Sequence, residues 1–253
     1  MCIMPEPVGA LCLFLHGHIP YVLGHSTWPH GANMIFEAAA DTYIPLLWML
    51  EELGHEGIPA NITLGITPVT MEQLADERFQ EWFPGYLDTR RWQAERNVEE
   101  FLKRDDPHLA YLAERWERHY RALLEAFCGR YAYDLLGQFR LHQDAGRLEI
   151  ICSAATHGYF PLLHEDASLV GQIEQGRATY ERFMGRPARG FWLPECAYRP
   201  RCNWAPPPPL APEPPRWRRG VEELLANHGY DYFIVDGHML GPNAPLPVQV
   251  THH

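Results

Sequence analysis

Residues Leu148–Pro161 read LEIICSAATHGYFP, and the break in the middle of this stretch decides the fold. Leu148–Ala154 (LEIICSA) is a short, largely apolar run without the spacing of a helix. It reads as a strand hidden on both faces, which belongs to a parallel sheet covered by helices. The character then changes at once. Thr156, His157, Gly158, Tyr159, Phe160 and Pro161 bring a titratable ring, aromatics and turn formers to the strand's carboxyl end. Sites in parallel α/β folds lie at that end.

Working outward, Val8–Leu15 (VGALCLFL) predicts a first buried strand and Pro59–Ile66 (PANITLGI) a second. Gly190–Leu193 ends a fourth, and Tyr232–Val235 (YFIV) is a fifth. Helices are expected at Ile35–Leu53, perturbed near Pro45, at Ser168–Met184 and at Gly220–His228. A long helical region runs from about Pro68 to Leu141. Within it Leu109, Leu112, Trp116, Tyr120, Leu123, Phe127, Tyr131 and Leu135 recur every three or four residues, the spacing of one apolar helix face. The five strands fit a barrel or a doubly wound sheet. The proline-rich segment Ala205–Pro215 (APPPPLAPEPP) predicts an extended surface loop that cannot join a sheet interior.

The chain has 253 residues, 32 acidic and 21 basic, for a net charge of −11. No basic excess is available to neutralise phosphates, so nucleic acid and anionic membrane are not expected partners. Met1–Gly9 lacks Lys and Arg and no apolar run is long enough to span a bilayer, so neither a signal peptide nor a membrane helix is expected. The six cysteines show no CxxC spacing, and Cys12 and Cys152 fall in predicted strands. The expectation is reduced thiols in a cytoplasm, with no structural zinc.

The strand ends carry the chemistry. Strand one runs into His16-Gly17-His18-Ile19-Pro20-Tyr21. Strand four runs into Trp192-Leu193-Pro194-Glu195-Cys196-Ala197-Tyr198, and strand five into Asp236-Gly237-His238. His16 and His18 alternate along a strand, so both can reach one pocket. Each has a plain structural alternative: a hydrogen-bonded turn histidine, a core aromatic for Trp192 and Tyr198, a turn cap for Asp236. Glu195 lies in a locally apolar stretch, where burial without a function would be costly. Two chemistries fit such a pocket. One is a zinc hydrolase using His16, His18 and Asp236. The other is glycosyl transfer by a carboxylate pair, with histidines binding sugar hydroxyls and Trp192 or Tyr198 stacking on a pyranose.

The runs His16–Tyr21 (HGHIPY), Ala155–Pro161 (ATHGYFP) and above all Trp192–Tyr198 (WLPECAY) resemble signature regions of glycoside hydrolase family 57. The similarity is greatest to its 1,4-α-glucan branching members. Glu37–Leu47 and Arg219–Leu240 support it, over residues 9 to 241. The resemblance implies an α/β fold of one kind: an incomplete, distorted (β/α)7 TIM-like barrel with a long helical insertion between strands two and three. It implies α-glucan substrates and a retaining mechanism without metal or organic cofactor. Glu195 falls on the nucleophile position. His18 and His157 fall on motif histidines that line the sugar subsite, and His16 shares their motif. Trp28 sits where such enzymes place an aromatic contact to glucan. With Trp192, Tyr198, Asp236 and His238 these form the expected substrate-binding set.

The family's acid/base aspartate, a fifth motif and a helical C-terminal domain belong to regions beyond those matched. Residues 1–253 are therefore expected to be the N-terminal portion of a catalytic barrel, truncated and able to self-associate through an open sheet edge. Four other readings stay open: a 4-α-glucanotransferase, an α-amylase, a non-catalytic glucan-binding remnant, and a zinc-dependent deacetylase or hydrolase.

Overall fold

A computed structural model describes residues 9, 11–206 and 214–240, with the backbone alone at 238 and 240. The strands are β1 (Leu13–Gly17), β2 (Ile62–Ile66), β3 (Leu148–Ser153), β4 (Gly190–Trp192), β5 (Cys202–Trp204), β6 (Arg216–Arg218) and β7 (Tyr232–Ile234). The helices are α1 (Asn33–Ala38), α2 (Ile44–Glu56), α3 (Pro68–Leu74), α4 (Glu77–Lys103), α5 (Pro107–Glu125), α6 (Leu135–Asp144), α7 (Asp166–Met184) and α8 (Val221–Asn227). The chain forms two compact units. One contains residues up to 64 together with 70–150, the other 65–69 and the residues from 151 on.

In the first unit β1 lies beside β2, and β2 beside β3. The first strand begins later than Val8–Leu15 and extends through His16 to Gly17; residues 1–8 and 10 lie outside the described set. Its expected burial on both faces is not found, because β1 is an edge strand with Leu13 48% and Phe14 37% exposed. Cys12 is exposed as well, whereas Cys152 is buried as expected; the five cysteines among the described residues are all free. Helices α1 and α2 run on through a π turn at Ala39–Tyr43. The turn sits just ahead of Pro45, which has no N–H to give the carbonyl four residues back.

The region between β2 and β3 is helical, as expected, but it is four helices rather than one. Three aspartates start new helices. Asp76 accepts from the Arg78 amide, Asp106 from Leu109 and Asp134 from Gly137, each satisfying a donor that the helix start leaves open. The apolar stripe is cut accordingly. Leu123, Phe127, Tyr131 and Leu135 are buried, while Leu109 and Trp116 are exposed. Phe36, Phe79, Phe83 and Phe127 form the core here, with ring centroids 4.9–5.9 Å apart.

In the second unit β3 pairs with β4 and β4 with β7, both parallel. Phe191, Cys152 and Leu193 are fully buried, so strands three and four match the expectation of apolar strands. Helix α7 lies hard against the end of β3: a Cβ on Gly176 would stand 2.4 Å from the Ser153 carbonyl oxygen. Only glycine permits that approach. Gly190 is similar, because the Tyr232 ring beside it in register leaves a Cβ 2.4 Å of room. A feature the sequence did not announce is the antiparallel hairpin β5–β6. Its buried Arg218 donates to Asp166 at 2.6 Å, and the Trp204 indole donates to the Pro161 carbonyl at 3.1 Å. Residues 207–213, the heart of the proline-rich loop, lie outside the described set.

Candidate functional site

The described strand-end residues divide between the two units, and each group can be built from its own surroundings. In the first unit, His16 lies within β1, and the segment after it carries His18 and Trp28. It is clamped by two buried polar residues of α3 that sequence reasoning missed. The Gln73 amide donates to the Ile19 and Pro20 carbonyls at 3.2 and 3.0 Å and accepts from the Val22 N–H at 2.7 Å. The Thr70 hydroxyl accepts from the Ile19 N–H at 2.8 Å. Gln73 is 1% exposed and Thr70 fully buried. The only sequence signal was a pair of polar residues on a helix next to strand two, with partners some 51 positions away.

His16 and His18 are both half-buried. Burial, and then the neighbouring His18, push the His16 imidazole from 6.5 to about 4. His16 is therefore neutral at pH 7, with one donor and one acceptor nitrogen, the pairing a sugar hydroxyl needs. The shift also fixes a pH effect. The unfolded chain takes up this proton below 6.5 and the folded chain only near 4. The stabilisation is complete above 6.5 and is lost as pH falls through that window. Allowing for solvent screening, wild type should lose about 2 kcal/mol more than His16→Gln between pH 7 and 4. Denaturant melts at the two pH values check this, and equal losses would contradict it.

In the second unit, β3 and β4 end side by side. The Ser153 hydroxyl donates to the Trp192 carbonyl at 2.8 Å and ties the two ends together. Beyond them the backbone leaves the ordinary regions. His157 has φ 57°, Glu195 φ 56° and Cys196 φ 52°. Left-handed geometry in non-glycine residues costs of order 1–3 kcal/mol each and persists only where the surroundings impose it. One consequence corrects the reading of Glu195 as a buried group: its side chain is 70% exposed. The left-handed turn swings it off the apolar strand and out to solvent, open to a ligand. The His157 side chain is 3% exposed, and its Nδ1 lies 3.8 Å from Glu195 Oε1.

The other expected residues are less uniform. Trp192 is half-buried at the end of β4. Tyr198 stacks on Phe233 at 5.7 Å and donates its hydroxyl to Glu222 at 3.0 Å. Burial and that carboxylate push its phenol up to about 12. One ring face is thus covered, and Tyr198 braces the Glu195 loop; only its other face remains for a sugar. Asp236 is exposed, and its main-chain carbonyl accepts from the Met239 N–H at 2.9 Å to open the final turn. Burial, and then the charges of Asp236 and Glu195, raise the Cys196 thiol. The His238 side chain lies outside the described residues. Among the described residues no group of three or more His, Cys, Asp or Glu is gathered to hold a metal ion. Nor, among them, is any helix long and apolar enough to cross a membrane.

The family model for glycosyl hydrolase family 57 matches residues 12–250. The 1,4-α-glucan branching enzyme of Thermococcus kodakarensis is 39% identical over 232 residues, which are 92% of this chain and 33% of that protein. Its crystal structure, in complex with glucose and additives, superposes with a TM-score of 0.78 over 89% of this chain and 39% of that one. The crystal structure of the branching enzyme of Pyrococcus horikoshii gives a TM-score of 0.87 at 40% identity, over 92% of this chain and 42% of that one. An α-amylase of Thermotoga maritima gives 0.74 at 31% identity, over 90% and 39%. The chain thus spans about a third of the curated branching enzyme's length. The incomplete TIM-like barrel expected from the motifs is the fold class that these matches bear out. The chain belongs to glycosyl hydrolase family 57.

Proposed function

We propose that the chain is the N-terminal portion of a 1,4-α-glucan branching enzyme's catalytic barrel. It works in the cytoplasm on α-glucans by a retaining mechanism. Glu195 is the nucleophile: it attacks the anomeric carbon and breaks the α-1,4 bond to form a glycosyl-enzyme, the departing glucan oxygen takes a proton from the acid/base carboxyl that the family places beyond these motifs, and the hydroxyl of an acceptor glucan then displaces Glu195 and returns that proton. His157 holds that carboxylate in place from one side. His16 and His18 bind hydroxyls of the sugar being transferred, and Trp28, Trp192, the free face of Tyr198, Asp236 and His238 line its path. The exposed β1 edge supports self-association with a second copy.

The observation that carries this reading is Glu195 itself. A solvent-open carboxylate, 3.8 Å from a buried histidine on a left-handed turn, is a costly arrangement for a surface glutamate and a useful one for a nucleophile. The 39% and 40% identities to branching enzymes favour branching over the amylase and glucanotransferase readings. The test is amylose incubated with the chain. Branching lowers iodine staining and creates α-1,6 linkages visible by proton NMR without releasing reducing ends. Reducing ends without new linkages would mean hydrolysis; unchanged amylose would leave a glucan-binding remnant.

A further inference from the structure

The first unit holds a cavity of about 800 Å³ whose lining lies entirely within residues 23–93. This is the range of sites that take small molecules. One wall is a single face of α4, where Trp82, Tyr86, Thr89 and Gln93 repeat at helical spacing. The facing wall is the loop that carries Trp28 and leads into Asn33. That loop is closed on itself: Ala32 donates to the Ser26 carbonyl at 3.0 Å and Asn33 to Thr27 at 3.1 Å. A Cβ on Gly31 would stand 2.1 Å from the Ser26 oxygen, so the loop is drawn as tight as glycine allows.

The lining has a definite chemistry. Trp28 is 74% and Trp82 42% exposed, two large aromatic faces that no protein group covers fully. Tyr86 is held by Phe36 at 5.4 Å, Phe83 at 6.2 Å and the Arg90 guanidinium at 5.1 Å, so it is a fixed part of the wall. Asn33 and Gln93 offer amides, and Thr89 a hydroxyl. The one charged residue in the lining, Arg90, lies over Tyr86 at 5.1 Å and pairs with Glu37 at 3.3 Å. A phosphate or carboxylate ligand would find that cation already engaged. A neutral ligand with apolar faces and many hydroxyls finds both kinds of partner it needs, and a chain of pyranose rings is such a ligand.

We infer that this cavity is a glucan-binding subsite supplied by the helical insertion, in which Trp82 on α4 stacks against rings of an α-1,4-glucan chain opposite Trp28. The glucan identity rests on the proposed function. The contribution of α4 is new to it, since no strand-end motif includes Trp82, Tyr86 or Gln93. The subsite gives the chain a preference for long glucans over maltose.

Calorimetric titration of the whole chain with maltoheptaose and with maltose tests this. Trp82→Ala is expected to weaken maltoheptaose about tenfold and maltose hardly at all. Trp82→Phe, which keeps a ring face, should stay within about threefold of wild type. Trp92→Ala removes an exposed tryptophan of the same helix that does not line the cavity and should bind as wild type does. Unfolding curves of the variants exclude a folding defect. Wild-type affinity in Trp82→Ala, equal weakening in Trp92→Ala, or a wild-type dimer that Trp82→Ala dissociates would each overturn the inference. Such a failure beside continued covalent labelling of Glu195 would remove the subsite and leave the proposed function standing.

Discussion

Glu195→Gln is expected to reduce glucosyl transfer on the order of 10⁴-fold while leaving the fold intact. The amide has nearly the shape of the carboxylate but cannot attack an anomeric carbon. Its exposure argues that the loss will be chemical. With 70% of the side chain in solvent, no packing depends on the charge, and glutamine tolerates the left-handed turn as well as glutamate does. The His157 contact at 3.8 Å is too long for a strong hydrogen bond, so its loss should cost less than about 1 kcal/mol of stability. Initial rates of linkage formation, read beside a thermal melt, check both halves. A variant that keeps wild-type turnover would remove Glu195 from the mechanism.

Gln73→Leu should have the largest effect on stability. The side chain makes two hydrogen bonds to carbonyls and accepts a third from an amide, all in a site 1% exposed. Leucine fills the volume but leaves the Val22 N–H without its acceptor and the Pro20 carbonyl without the Gln73 donor, while the Ile19 carbonyl keeps only the longer bond from the Thr70 hydroxyl at 3.3 Å. Unsatisfied buried groups cost about 1–3 kcal/mol each, so a loss of about 3–4 kcal/mol is expected. For a chain of this size that is roughly a 10 °C drop in Tm. The same clamp holds the segment carrying His18, so transfer should fall as well. Gln73→Glu discriminates: it keeps the acceptor for Val22 and loses both donors, and should be no better than leucine. Calorimetric melts of the two variants decide this, and a change under 1 kcal/mol would show that Gln73 is incidental.

The strands and the chemistry at their ends were legible because both are local. An apolar run such as Leu148–Ala154 followed by Thr-His-Gly announces its own boundary. The WLPECAY run carried the family, and the family carried the barrel. Three things were not legible. The helical stripe from Leu109 to Leu135 continues across the break at Asp134, because apolar periodicity does not register a capping aspartate. Glu195 was read as buried from its apolar neighbours. Its exposure follows from a left-handed backbone that no residue type there demands. Thr70 and Gln73 looked like ordinary helix polar residues, since nothing in the chain marks a side chain whose partners lie some 50 positions away.

The central claim is that Glu195 attacks a glycosyl carbon. Incubation with a 5-fluoro-α-glucosyl fluoride tests it most directly. Fluoride leaves without a proton from a general acid, so the label reports attack alone, and the ring fluorine slows release of the adduct. One added fluoroglucosyl mass is expected, carried by the peptide containing Glu195 and absent in Glu195→Gln. An unlabelled wild-type chain, or an adduct that survives in Glu195→Gln, would contradict it.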